Sequence, residues 1–265
     1  MASILERRQQ PRVKEFIDRQ SMIITMDGST TAGKRMVAER LADRYNLTIL
    51  NTGTTIRALA LLAVENKLVK TDQTNVTTIP VDFSDRIVEF YNDLPDKIRI
   101  EKPTEGSHKA RIMVGERDML GELILHPKQK AIDNLSSIIA SSAAIRQKMY
   151  QVWREAVDEL GGVIVIGRKT GVDLFPDAKV KMYLYASPAA SAAYRIAHDP
   201  MAEKKMMSEE LYIRERDGMD KENGLQDRPI GGLILDTSDY IKDVTGLVKL
   251  EERIATYIDS RYTIR

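Results

Sequence analysis

The stretch Gly28-Ser29-Thr30-Thr31-Ala32-Gly33-Lys34 constrains this chain more than any other. It spells G-x-x-x-x-G-K. The run before it, Met22–Met26 (MIITM), reads as a buried strand ending at Asp27. After it, Val37, Ala38, Leu41, Ala42 and Tyr45 recur at helical spacing, so Lys34–Tyr45 reads as a helix. A strand–loop–helix setting is what a phosphate-cradling loop requires. Its glycines let backbone N–H groups close around anionic oxygens, the helix start adds positive partial charge, and Lys34 supplies a mobile cation. Gly28, Ser29, Thr30, Thr31, Ala32, Gly33, Lys34, Arg35 and Met36 are therefore the candidate phosphate-binding residues. The competing reading is a tight turn with no ligand. The residue after such a lysine ordinarily carries a hydroxyl that helps hold Mg²⁺, but here Arg35 and then Met36 follow. Mg²⁺ is expected with the nucleotide, held more weakly or differently, and Arg35 is a candidate to neutralise phosphate charge directly.

Further strands are expected at Leu47–Leu50, Gly162–Ile166, Val180–Tyr185 and Leu233–Leu235. Helices are expected from Thr54 or Thr55 to about Lys67, then over Pro127–Ala140, Ala143–Leu160, Pro188–Ala197, Ser208–Asp217 and Val244–Ile258. Alternating strands and helices predict an α/β fold, a mostly parallel sheet with helices on both faces. Residues 68–125 differ, with strand-like pieces at Lys97–Lys102 and Arg111–Gly115 between turn-rich stretches. They read as an inserted lobe with a small antiparallel sheet. Residues 1–20 read as an N-terminal extension, with a short helix across Ile4–Arg19, and 21–265 as the main domain.

Lys and Arg number 40 against 39 Asp and Glu, so bulk charge gives no reason to expect nucleic-acid binding. The chain has no cysteine, which excludes disulfides, thiolate catalysis and Cys-based zinc sites. His108, His126 and His198 are dispersed, and no metal-ligating cluster is expected. No apolar run of membrane-spanning length is present. The N-terminus lacks the apolar core of a signal peptide. Arg7, Arg8, Arg12 and Arg19 faintly suggest a mitochondrial presequence, against which Glu6, Glu15 and Asp18 argue; the cytoplasm is the expected location. The arginines of the extension make it the first place to look for a protein partner.

Several dispersed motifs then occur in one order: Asn51-Thr-Gly-Thr-Thr-Ile-Arg57, Ala144-Ile-Arg146, Trp153-Arg154, Ile166-Gly-Arg-Lys-Thr-Gly171, Phe175–Ser187 and Arg216-Asp-Gly-Met-Asp220. With the phosphate loop, they make the chain resemble the bacterial cytidylate kinases from about Met22 to Ile258. That resemblance implies a P-loop NTPase-like sheet with an inserted nucleotide-monophosphate-binding lobe and a lid at about 198–230. It also implies transfer of the terminal phosphoryl of ATP to CMP or dCMP, with nucleotides as partners. By position, Lys34 would hold the donor phosphates. Thr52 and Arg57 would contact the acceptor, and Arg146 and Arg168 would grip its phosphate or base. Arg216 and Asp220 would lie near the transferring phosphoryl. Lys34, Arg168, Arg216 and Asp220 are thus the candidate catalytic set.

The departures cluster. The family's D-G-R-D run is Ile166-Gly167-Arg168-Lys169 here, so both aspartates are replaced. Asn51 stands for an aspartate, Ile56 for a tyrosine, and Asn223 and Ser191 for arginines. Thr31 stands where such kinases usually have glycine. Lys169 reverses a charge where cytosine recognition is expected. Two functions follow: a kinase with altered acceptor preference, or a nucleotide-binding pseudokinase used as a sensor, scaffold or assembly part. A third keeps only the fold and uses its surface for a partner.

Overall fold

The computed structural model describes residues 14–72, 75–198 and 205–265. It begins with a strand, β1 (Glu15–Ile17), and a 3-10 turn over Arg19–Ser21, not the helix expected across Ile4–Arg19. The part of that expectation before residue 14 lies outside the described residues. The cause of the strand is non-local: β1 runs parallel to Tyr262–Ile264 at the far end of the chain. Then come β2 (Ile23–Gly28), α1 (Lys34–Tyr45), β3 (Thr48–Asn51) and α2 (Thr52–Glu65). The helix α2 starts earlier than Thr54, because the Asn51 side chain caps it by accepting from the Gly53 amide at 3.1 Å.

Next lie β4 (Lys70–Thr71), β5 (Val76–Thr78), α3 (Phe83–Asp93), β6 (Ile98–Glu101), β7 (Arg111–Val114), β8 (Arg117–Asp118) and α4 (Met119–Leu125). The strands β6, β7 and β8 form a small antiparallel sheet. The helix α3 was not among the expected elements, although Phe83, Ile87 and Tyr91 are its buried face at four-residue spacing. The chain continues through α5 (Gln129–Ser141), α6 (Ala143–Leu160), β9 (Val163–Ile166), a π-type turn over Thr170–Leu174 and β10 (Val180–Tyr185). It ends with α7 (Pro188–His198), α8 (Met206–Glu222), β11 (Leu233–Asp236), α9 (Val244–Asp259) and β12 (Tyr262–Ile264).

The main sheet has the order β11-β10-β2-β9-β3, all parallel. The unbroken apolar run of β9 suits a strand covered on both faces. Val163 and Val165 point into a core built with α2, α3, α5 and α6, while Ile164 and Ile166 point into a second core with α1 and α9. From β2 the chain first travels to the β3 edge and later returns to build the other side with β10 and β11. Such a reversal leaves a crevice at the carboxyl ends of the strands. The phosphate loop lies there, directly after β2.

Candidate active site

Backbone geometry fixes the loop. Gly28 sits at φ 136°, and a Cβ there would meet the Leu184 carbonyl oxygen at 1.7 Å, so β10 approaches too closely for any side chain. Gly33 (φ 79°) turns the chain into α1. Thr31 is also left-handed, at φ 57°, a conformation that costs a β-branched residue roughly 1–2 kcal/mol. The loop thus holds a β-branched residue in a left-handed conformation and absorbs that strain. Ser29 donates its amide to Leu184 O, and its Oγ accepts from the Ala186 amide. Thr237 Oγ1 donates to Ala32 O. Among the described residues, the amides of Thr31, Ala32, Gly33 and Lys34 have no hydrogen-bond acceptor. They form a concave set of free donors at a helix start. Arg35 is exposed, and Met36 packs against the α1–α9 core.

The helix α8 closes over this loop. Asp217 Oδ1 accepts from the Thr30 amide at 2.8 Å. Arg168, on the turn after β9, bridges loop and helix: Nε pairs with Asp220 at 2.7 Å, Nη1 donates to Gly28 O at 2.5 Å and Nη2 to Thr30 Oγ1 at 3.0 Å. Lys34 folds back so that Nζ donates to Gly28 O at 2.9 Å and Ser29 O at 2.5 Å. Burial, and then the neighbouring Arg168 charge, push the Lys34 ammonium well below its ordinary range, with Asp217 and Asp220 opposing. The structure thus brings Lys34, Arg168, Asp217 and Asp220 onto one loop.

A second cationic group adjoins it. Arg57 donates to Gly53 O and lies 3.6 Å from Asp133 on α5. Burial holds the Arg57 guanidinium below its usual range, and the nearby Arg216 and Arg35 charges add to this against Asp133. Arg216 donates Nη1 to Tyr212 OH at 2.8 Å, while its buried Nε has no hydrogen-bond partner. Burial opposes the Arg216 charge, but Tyr212 and Asp133 more than offset it, so its pKa is raised. The face of α8 bearing Tyr212 and Arg216 also borders a hollow of about 340 Å³ shared with α5 and α7.

Two candidates are otherwise engaged. Thr52 donates its hydroxyl to Ile166 O at 3.0 Å, pinning α2 to β9. Arg146 donates to Ala140 O and Ser141 O, satisfying carbonyls at the end of α5. Lys169 pairs with Asp173 at 3.2 Å and Asp227 at 3.0 Å, so its reversed charge is neutralised within the chain. Burial works against its protonation, but those two carboxylates raise its pKa.

A family model described as cytidylate kinase matches residues 24–248. The chain belongs to the cytidylate kinase family. The cytidylate kinase of Carboxydothermus hydrogenoformans is 30% identical over 90% of this chain and 96% of that protein. That of Exiguobacterium sibiricum is 26% identical over 86% of this chain and 96% of that protein. The bifunctional pantoate ligase/cytidylate kinase of Synechocystis is 30% identical over 66% of this chain, a match that takes in 30% of that longer protein. A solved shikimate kinase from Bacteroides thetaiotaomicron overlays at TM-score 0.44 with 11% identity over 90% of this chain and 98% of that one, too loosely to carry an argument.

Membership in a family of nucleoside monophosphate kinases gives weight to three residues that sequence reading did not single out for the site. Asp27 is fully buried at the end of β2. Its Oδ1 accepts from the Thr170 amide (2.8 Å) and hydroxyl (2.9 Å), and its Oδ2 from the Gly171 amide (2.8 Å). Burial raises its pKa while these bonds pull it down. It anchors the turn that carries Arg168, and its place directly before Gly28 was the available signal. Asp133 and Tyr212 reach the site from α5 and α8, and nothing in their local sequence marks them. Among the described residues, no group of three His, Asp or Glu side chains converges to hold a metal. No described helix is long and apolar enough to cross a membrane.

Proposed function

We propose that this cytidylate kinase family member transfers the terminal phosphoryl of ATP to CMP, dCMP or a related pyrimidine monophosphate. The carrying observation is the set of free amides over Thr31–Lys34, faced by Lys34 and Arg168. In this reading the donor phosphates take those amides and displace the Asp217 carboxylate from Thr30. Lys34 Nζ then turns from the loop carbonyls to the outer phosphate oxygens. Arg57, held by Asp133, receives the acceptor phosphate. An oxygen of that phosphate attacks the terminal phosphorus in line; the new P–O bond forms as the bond to the bridging oxygen breaks, and the electron pair leaves with ADP. The attacking oxygen carries no proton, so no general base is needed. Arg168, oriented by Asp220, and Arg216 stabilise the charge spread over the transferring group. Phosphoryl transfer draws its rate from such positioning and neutralisation. Among the described residues no group of three His, Asp or Glu side chains converges to hold a metal, and no step is assigned to Mg²⁺.

ADP formation from ATP should appear with at least one of CMP, dCMP, UMP and modified pyrimidine monophosphates. No ADP above background across that panel would remove the reading. A second reading, nucleotide binding without turnover, is favoured by the closed arrangement of Asp217, Arg168 and Lys34. It predicts a rise in melting temperature with ATP, ADP or CMP and no ADP production; absence of any shift would reject it.

A further inference from the structure

We infer that the loop binds its nucleoside triphosphate as the free anion, with ammonium and guanidinium groups supplying the neutralisation that a divalent cation gives elsewhere; this rests on the donor reading proposed above. Mg²⁺ demands near-octahedral oxygen ligands. Directly after Lys34 stands a guanidinium and at the end of β9 a hydrocarbon side chain, while the neighbouring carboxylates Asp27, Asp217 and Asp220 are hydrogen-bonded within the chain.

In the first turn of α1, residue 35 is an exposed Arg whose charge reaches Arg57 and Tyr194. At the end of β9 stands Ile166, 4% exposed, followed by Gly167 and Arg168. The carboxylate at the end of the neighbouring strand, Asp27, already accepts three hydrogen bonds through its two oxygens. On α8, Asp220 is paired with Arg168; Asp217 is hydrogen-bonded to the Thr30 amide and, once the donor phosphates displace it, is a lone carboxylate facing the Lys34 and Arg168 cations. A divalent ion placed here would face Lys34 and Arg168 at close range, both positive.

Asp217 supplies an independent observation. The loop holds an intramolecular carboxylate on the Thr30 amide, with the Arg168 guanidinium bonded to the same residue's hydroxyl. An anionic oxygen is thus seated by the Thr30 amide, beside a guanidinium that bonds the Thr30 hydroxyl. Arginine presents paired N–H donors that match phosphate oxygens, so the cations on hand suit a bare polyphosphate.

The test is calorimetric titration of ATP into the full chain, once in EDTA and once in excess Mg²⁺. The dissociation constants should agree within about threefold. Binding at least about tenfold tighter with Mg²⁺ overturns the inference and leaves the donor reading standing. No binding in either buffer overturns both. Arg35→Thr restores a hydroxyl after Lys34 at an exposed position, with folding checked by circular dichroism. Its constant in EDTA should weaken about tenfold, the size of one charge-assisted contact. Unchanged metal-free binding in Arg35→Thr overturns the role given to that arginine.

Discussion

Asp217 occupies the loop as a phosphate oxygen would, through one 2.8 Å bond to the Thr30 amide. Removing its charge should favour the ligand it competes with. Asp217→Asn is expected to tighten ATP about tenfold, a charge-assisted bond being worth about 1.5–3 kcal/mol; calorimetry showing equal or weaker binding would count against competition. Lys34 offers a pH signature. Its folded-state pKa lies below the ordinary 10.5, so the unliganded protein releases that proton earlier than an exposed lysine. A bound polyphosphate restores the charge. Binding should therefore take up a proton, increasingly as the pH rises toward the ordinary lysine value, visible as a buffer-dependent enthalpy in titrations run in buffers of different ionisation enthalpy. No uptake at any pH would contradict the burial described for Lys34. The loop itself was legible because G-x-x-x-x-G-K is a local pattern. Asp217 on Thr30 was not, because that contact spans 187 residues.

At the scale of elements, the turn after β9 depends on Asp27. Asp27→Ala would leave the Thr170 and Gly171 amides without their acceptor inside the core. Each such orphan costs about 1–3 kcal/mol, and Arg168 would lose its support. A drop in melting temperature should accompany loss of ATP affinity, read by scanning fluorimetry and titration; a stable Asp27→Ala protein binding ATP normally would refute the anchoring role. Most helices and strands were legible from periodicity, and α1 and α6 fall on their expected residues. The misses have separate causes. The cap of α2 went to Asn51 because its side chain reaches the Gly53 amide first. The buried face of α3 was written in the sequence but masked by its turn-rich neighbours.

For the whole molecule, β1 joins the start of the described chain to its end. Ile17 is buried there, and Arg19 donates its amide to Arg265 O. Deleting residues 1–17 should cost about 2 kcal/mol and lower the melting temperature by about 5 °C; an unchanged transition would show the pairing to be dispensable. No local pattern could announce β1, since three residues take strand form only beside a partner at the other terminus. That arrangement bears on synthesis. A ribosome releases Glu15–Ile17 long before Tyr262–Ile264 exists, so the first strand waits unpaired while the rest of the sheet assembles. Closure of the sheet pair then waits for Tyr262–Ile264, and a chain truncated before them keeps an open seam beside Glu15–Ile17.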